Sequence, residues 1–139
     1  MDEPGLIAAN EAFYAAFRAR DLPAMEDLWA RQCPCVCIHP GWSPILGRGP
    51  ILRAWAAILA NEASPTVEGL DPQVVQLGDD VALVLCIERV ESLADSGIFA
   101  ATNTFVREDD RWCLAHHQAS PIAVDDSPDE PVAPADLPN

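Results

Sequence analysis

The stretch from Thr66 to Ala119, TVEGLDPQVVQLGDDVALVLCIERVESLADSGIFAATNTFVREDDRWCLAHHQA, decides how this chain folds. Its apolar residues alternate with a period of two, the signature of strands with one face toward a core. It divides into four segments, roughly 66–77, 81–92, 97–108 and 111–119. Gly78-Asp79-Asp80, Asp95-Ser96-Gly97 and Asp109-Asp110 supply the turns between them. Connections this short join antiparallel neighbours, because a parallel pair needs a long crossover. Gly69 and Pro72 predict a break or bulge in the first segment. In the second, Val81, Leu83, Leu85 and Ile87 share one parity, and Ala82, Val84 and Cys86 the other. A strand apolar on both sides needs cover on both, so a second copy of the sheet, in a homodimer, is expected on the outer face.

Upstream the period is helical. Leu6, Ala9, Phe13, Ala16 and Phe17 form one stripe of a helix over 6–20. Asp21 offers an N-cap to a second helix that tolerates Pro23 in its first turn, buries Met25, Leu28 and Trp29, and ends near Arg31. Cys35 to His39 reads as a short strand, and His39-Pro40-Gly41-Trp42-Ser43-Pro44 as a loop. Gly49-Pro50 opens a third helix with Ile51, Leu52, Trp55, Ile58 and Leu59 as its apolar stripe. Three helices followed by a meander make an α+β domain with the helices on one face of the sheet. From residue 123 to 139 the chain is rich in proline and acid without a cation, and is expected to be a disordered tail.

Composition narrows the function. The formal charge is −14, from 8 basic and 22 acidic residues. Nucleic acid and anionic membrane surfaces are thereby excluded as partners, since phosphates need a basic face. All eight cations are arginine, so no lysine is present for Schiff-base chemistry. The acidic start and the broken first apolar stretch carry no signal-peptide or membrane-span pattern, which predicts a cytoplasmic protein. The five cysteines are an odd set and are expected to be reduced.

Few residues stand out as chemistry. His39 ends a strand and enters a loop, where it serves either as a general base near neutrality or as a bond to the loop backbone. Asn103 shares the parity of Phe99, Ala101 and Phe105, so its amide points into apolar surroundings. A partner is then required there, either across the sheet or on a ligand. His116 and His117 face opposite sides of one strand. His117 is taken as the pocket-facing one, because it shares parity with the small residues Cys113, Ala115 and Ala119, with a place at a dimer surface as the alternative. Trp42 is placed at the pocket mouth. Arg48 and Glu88 interrupt apolar stretches and are candidates for a structural pair. Cys33-x-Cys35-x-Cys37-x-His39 looks like a zinc set, but same-face residues on one strand stand about 7 Å apart, too far for one tetrahedral ion. No metal and no cofactor is expected.

The order of these elements, with particular motifs in place, resembles the nuclear transport factor 2-like superfamily, and within it the SnoaL-like and ketosteroid isomerase-like branch. The motifs are Phe13-Tyr14-Ala15-Ala16-Phe17 with Arg20-Asp21-Leu22, and Leu28-Trp29-Ala30. Cys37-Ile38-His39-Pro40-Gly41-Trp42 with Gly47-Arg48 follows. Ala101-Thr102-Asn103-Thr104-Phe105 and Trp112-Cys113-Leu114-Ala115-His116-His117 with Ser120-Pro121 complete the set. The resemblance implies one domain over 1–122, a cone-shaped curved antiparallel sheet with three N-terminal helices on its concave face, and a homodimer. It also implies a small-molecule pocket between sheet and helices, lined by Phe13, Trp42, Phe99 and Phe105. Ketosteroid isomerases place a tyrosine, a base and a second acid at positions that fall here on Phe13, His39 and Asn103. An isomerase or cyclase moving a proton on a small apolar carbonyl compound is one expectation, with His39 and Asn103 catalytic. A non-catalytic ligand-binding or dimerisation module is the other.

Overall fold

The computed structural model describes residues 2–92 and 96–123. Helices α1 (Glu3–Ala19) and α2 (Leu22–Leu28) lead into strands β1 (Val36–Ile38) and β2 (Ile45–Leu46) and helix α3 (Arg48–Ala60). Strands β3 (Thr66–Gln76), β4 (Val81–Glu91), β5 (Ser96–Glu108) and β6 (Arg111–Pro121) follow. The tail expected over 123–139 lies, from residue 124 on, outside the described residues. Among those residues no helix is long and apolar enough to cross a membrane.

The six strands form one open sheet in the order β2-β1-β6-β5-β4-β3. The meander is antiparallel as its turns require, but β1 lies parallel to β6, pairing Cys37 with His117, so the sheet is mixed. A parallel pair is possible there because α3 and the whole meander form the crossover. Helices cover one face, and the core lies between: Phe13, Tyr14, Met25, Trp29, Trp55, Val84, Phe105 and Leu114 are all fully buried.

Local signals set most element ends. Asp2 caps α1 by accepting from the Gly5 amide, and Asp21 caps α2 by accepting from that of Ala24. Helix α2 stops at Leu28, three residues short of the expected end. Trp29 turns extended there and bridges Leu114, and the Ala30 amide donates to the Leu114 carbonyl at 2.8 Å. Pairing with the sheet outcompetes another helical turn. Strand β2, two residues long, was not foreseen. In β3 the register shifts between Leu70 and Gln73, where Asp71 takes φ 53° before Pro72. Gly69 has a different role from Pro72. A Cβ there would come within 2.5 Å of the Tyr14 ring, so the missing side chain is what lets α1 close on β3.

Candidate functional site

Strand register builds the site. Val84, Asn103 and His117 lie side by side on β4, β5 and β6, and Cys37 on β1 extends the row. Gly69, Glu88 and Phe99 form a parallel row further along the same face. Helix α1 drops Asn10, Phe13 and Tyr14 onto these rows, all three buried.

The polar groups close into a network. Asn103 Nδ2 donates to Asn10 Oδ1 at 2.8 Å and to the Tyr14 hydroxyl at 3.1 Å. Its Oδ1 is therefore the atom 2.6 Å from His117 Nδ1, which must carry a hydrogen. His117 Nε2 is left as a lone pair, 4.0 Å from Glu88 Oε2. Tyr14 in turn donates to the same Glu88 oxygen at 2.6 Å and touches Cys86 Sγ at 3.1 Å. Both hydrogens of the Asn103 amide are used, so the protein itself supplies its partners.

Around His39 the surroundings are aromatic. Its ring meets Trp42 edge-on at 5.0 Å and Trp55 at 4.9 Å, and stands 6.4 Å from His117. Trp55 also packs on Phe13 and Phe17, and Phe13 on His117 at 4.8 Å. These rings fill the space between sheet and helices at this level. Trp42 is half exposed, with His39 beneath it only 6% exposed. His39 Nε2 lies 3.6 Å from Cys37 Sγ. Burial, with the nearby Glu88, pushes the Cys37 thiol up to about 12, so it stays protonated. The indole N–H of Trp55 is buried, and no acceptor among the described residues takes it.

Burial dominates the titration. It lowers His39 to about 4 and, with the neighbouring His39 and His116, lowers His117 to about 3, so both imidazoles are neutral at pH 7. It raises Glu88, against which the Tyr14 hydrogen bond works. It also raises Tyr14, with Glu88 adding, so the phenol remains a donor.

The sequence-derived candidates divide accordingly. His39, Trp42, Phe13, Asn103 and His117 come together, and His117 rather than His116 faces inward. Phe105 is sealed in the core between Ala82 and Leu114. Phe99 is half-buried in a separate cleft with Pro65, Val90 and Ile122. Arg48 and Glu88 do not pair: Arg48 donates to the Glu26 carbonyl, and Glu88 joins the network. Phe13 carries no hydroxyl, and the hydroxyl in the network is that of Tyr14, one residue on. Asn10, Tyr14 and Glu88 were missed as site residues. Glu88 was legible as the one acid at the inward parity of Ala82, Val84 and Cys86, and Asn10 as a polar residue one turn before Tyr14. All five cysteines are free thiols, and among the described residues no group of three His, Cys, Asp or Glu side chains could hold a metal ion. Cys35 points instead to the Ala30 carbonyl.

A cone of this kind, with a polar row under three helices, defines the class. The chain belongs to the SnoaL-like domain family, whose model matches residues 6–125. It is 35% identical to a candidate dehydratase of the NTF2-like family from Streptomyces avermitilis, covering 88% of this chain and 97% of that one, with a TM-score of 0.79. It is 30% identical to a candidate calcium/calmodulin-dependent protein kinase type II association domain from Thiobacillus denitrificans, over 84% and 94% of the two chains, with a TM-score of 0.72. Among curated proteins it is 29% identical over 125 residues to the F-box protein SKIP8 of Arabidopsis thaliana. That match takes in 87% of this chain but only 51% of the relative, so the chain spans about half its length.

Proposed function

We propose that, with Trp42 swung out of the ring cluster that fills this level, the protein binds a small apolar carbonyl compound against Trp55 and moves a proton on it, with His39 as the base. The observation that carries this reading is the buried, unaccepted Trp55 N–H beside a neutral His39. A buried donor without an acceptor costs about 1–3 kcal/mol, and a ligand carbonyl oxygen would satisfy it. Trp29 has an unaccepted indole too, but among the described residues no aromatic or histidine ring packs on it. A neutral imidazole next to the bound carbonyl is in the right state to take an α-proton. Trp42, in the loop at Gly41 (φ 80°), is the side chain that must swing aside for entry. Asn103 acts here by holding His117, since its own donors are spent.

Binding of 2-acetonaphthone, followed by quenching of tryptophan fluorescence, and exchange of its methyl protons in heavy water, followed by NMR, test the reading. His39→Ala should lower exchange at least tenfold while changing stability little, and Trp55→Phe should weaken binding by about tenfold, one hydrogen bond. His116→Ala, on the opposite face, should do neither. Equal binding and exchange by wild type and His39→Ala would overturn it. The alternative, a non-catalytic association module, draws on the exposed outer sheet face, where Leu85 and Val75 are 37% and 40% exposed, and on the association domain among the similar structures.

A further inference from the structure

Glu88 is the one buried acid among the described residues, and no cation compensates it. The arginines are engaged elsewhere: Arg18 with Glu11, Arg31 and Arg111 with Asp27, Arg89 with Glu68, Arg107 with Asp80, and Arg20 and Arg48 with backbone carbonyls. Arg53 is exposed. The groups facing the carboxyl are Tyr14 from α1, Cys86 on its own strand and His117 from β6. Asn103 of β5 and Asn10 of α1 bond to that set, while Cys37, His39 and His116 act on it from further off. A lone carboxylate in such a place is strongly disfavoured.

One proton must therefore reside with the pair. Either a neutral carboxyl stands beside a neutral imidazole, or a carboxylate beside an imidazolium. His117 is already prepared for either state, because its Nδ1–H is committed to Asn103 and its Nε2 lone pair faces Glu88. The 4.0 Å separation exceeds a hydrogen bond by about 1 Å. Tyr14, bonded to Glu88 at 2.6 Å, is what holds the carboxyl at that distance.

We propose that Glu88 and His117 form a proton-sharing acid–base pair, positioned by Tyr14 and Asn103, that serves an uncharged oxygen ligand such as a carbonyl group. Its ligand rests on the function proposed above; the pair itself does not. In the forward step the Glu88 O–H bond breaks and its electron pair stays on the carboxylate. The proton passes to His117 Nε2 once the carboxyl has closed from 4.0 Å to hydrogen-bonding distance, or to the ligand oxygen when one is within reach. The reverse step returns it, so no outside reactant is consumed. An anionic ligand is excluded, since the interior holds no cation to meet it. Burial raises Glu88, against the Tyr14 hydrogen bond, and lowers His117, and both directions favour the neutral pair over the charged one.

Infrared spectroscopy of protein carrying 13C at the glutamate side-chain carboxyls tests this without any ligand. At neutral pH a protonated-carboxyl band should be present and should vanish in Glu88→Gln. Nitrogen-15 NMR should show His117 as the neutral Nδ1–H tautomer. Tyr14→Phe removes the hydrogen bond that lowers Glu88, so the band should persist to higher pH and the His117 Nε2 resonance should shift as the carboxyl closes on it. If Glu88→Gln does not fold, the pH titration of the band in wild type and Tyr14→Phe decides alone. An ionised Glu88 at neutral pH, or a His117 Nε2 resonance indifferent to Tyr14→Phe, would overturn the proposal. Failure of 2-acetonaphthone to bind or exchange would remove the function proposed above and leave these spectra unchanged.

Discussion

Two positions show how single residues carry the site. Tyr14 reaches Glu88 and Asn103 only because Gly69 has no side chain: a Cβ there would stand 2.5 Å from the Tyr14 ring, which its hydrogen bonds to Glu88 and Asn103 hold in place. Gly69→Ala should therefore cost about 1–3 kcal/mol, the range for overpacking a close contact, in urea denaturation. Gly49→Ala is the control: its Cβ would meet only the flexible end of Arg53, at 3.4 Å, and should change little. His39 makes a pH prediction. Its pKa falls from 6.5 unfolded to about 4 folded, so below pH 6.5 the unfolded chain binds the extra proton. Stability is then lost as pH falls from 6.5 toward 4, by about 1.4 kcal/mol per unit for a histidine of this kind. His117 adds to the same slope. Stability measured against pH should be flatter over this window in His39→Phe than in wild type. Glu88 works in the opposite sense: its pKa is raised, so its contribution is present below the unfolded carboxyl value and fades as pH rises through the folded one.

At the scale of elements, much of the stability lies in joints between them. Arg20, in the left-handed conformation at the end of α1, sends its guanidinium to the end of α3. It donates to the carbonyls of Asn61 at 2.7 Å and Ser64 at 2.9 Å, with Leu59 and Glu62 at longer range. Leu59 and the C-cap Asn61 are among the orphan acceptors of the α3 C-terminus, where a cation is favoured, and Glu62 and Ser64 belong to the turn that follows it. Arg20→Met keeps the apolar stem and removes the donors. It should cost about 1–2 kcal/mol and speed amide exchange over 58–64 ahead of the rest of the chain. Glu108 is a similar joint. Burial alone would raise its carboxyl, but the amides of Arg31, Gln32 and Cys33 donate to it and hold it below the usual range. That clasp ties the α2–β1 connection to β5. Neither joint was read from the sequence, because each pairs one side chain with backbone groups more than 38 positions away.

For the molecule as a whole, the open question in energy is the outer face of the sheet. Leu85 and Val75 are exposed there, and Asp71, Gln73, Ile87, Ala100 and Thr102 line a cleft with Leu85. A second copy of this face would remove that apolar surface from water at about 25 cal/mol per Å². Leu85→Glu should then convert a dimer into a monomer in sedimentation without changing the far-ultraviolet circular dichroism. A wild-type protein that is monomeric at micromolar concentration would rule the dimer out.

Local pattern along the chain dictates the layers and their order. Period-two alternation with Gly-Asp, Ser-Gly and Asp-Asp turns can only make a meander, and three capped apolar stripes ahead of it can only cover one face. It also determines that His116 and His117 oppose each other and that Asn103 shares a face with Phe99 and Phe105, since parity along a strand is a local property, but which face is inward was left to the packing. Tertiary structure alone decided what those side chains meet. Register across four strands, the parallel docking of β1 on β6, and the close approach of α1 permitted by Gly69 bring Asn10, Tyr14, Glu88, Asn103 and His117 into one network. Such contacts join residues as far apart as 93 positions. No local periodicity encodes them, because each depends on the distance between elements rather than on the spacing within one.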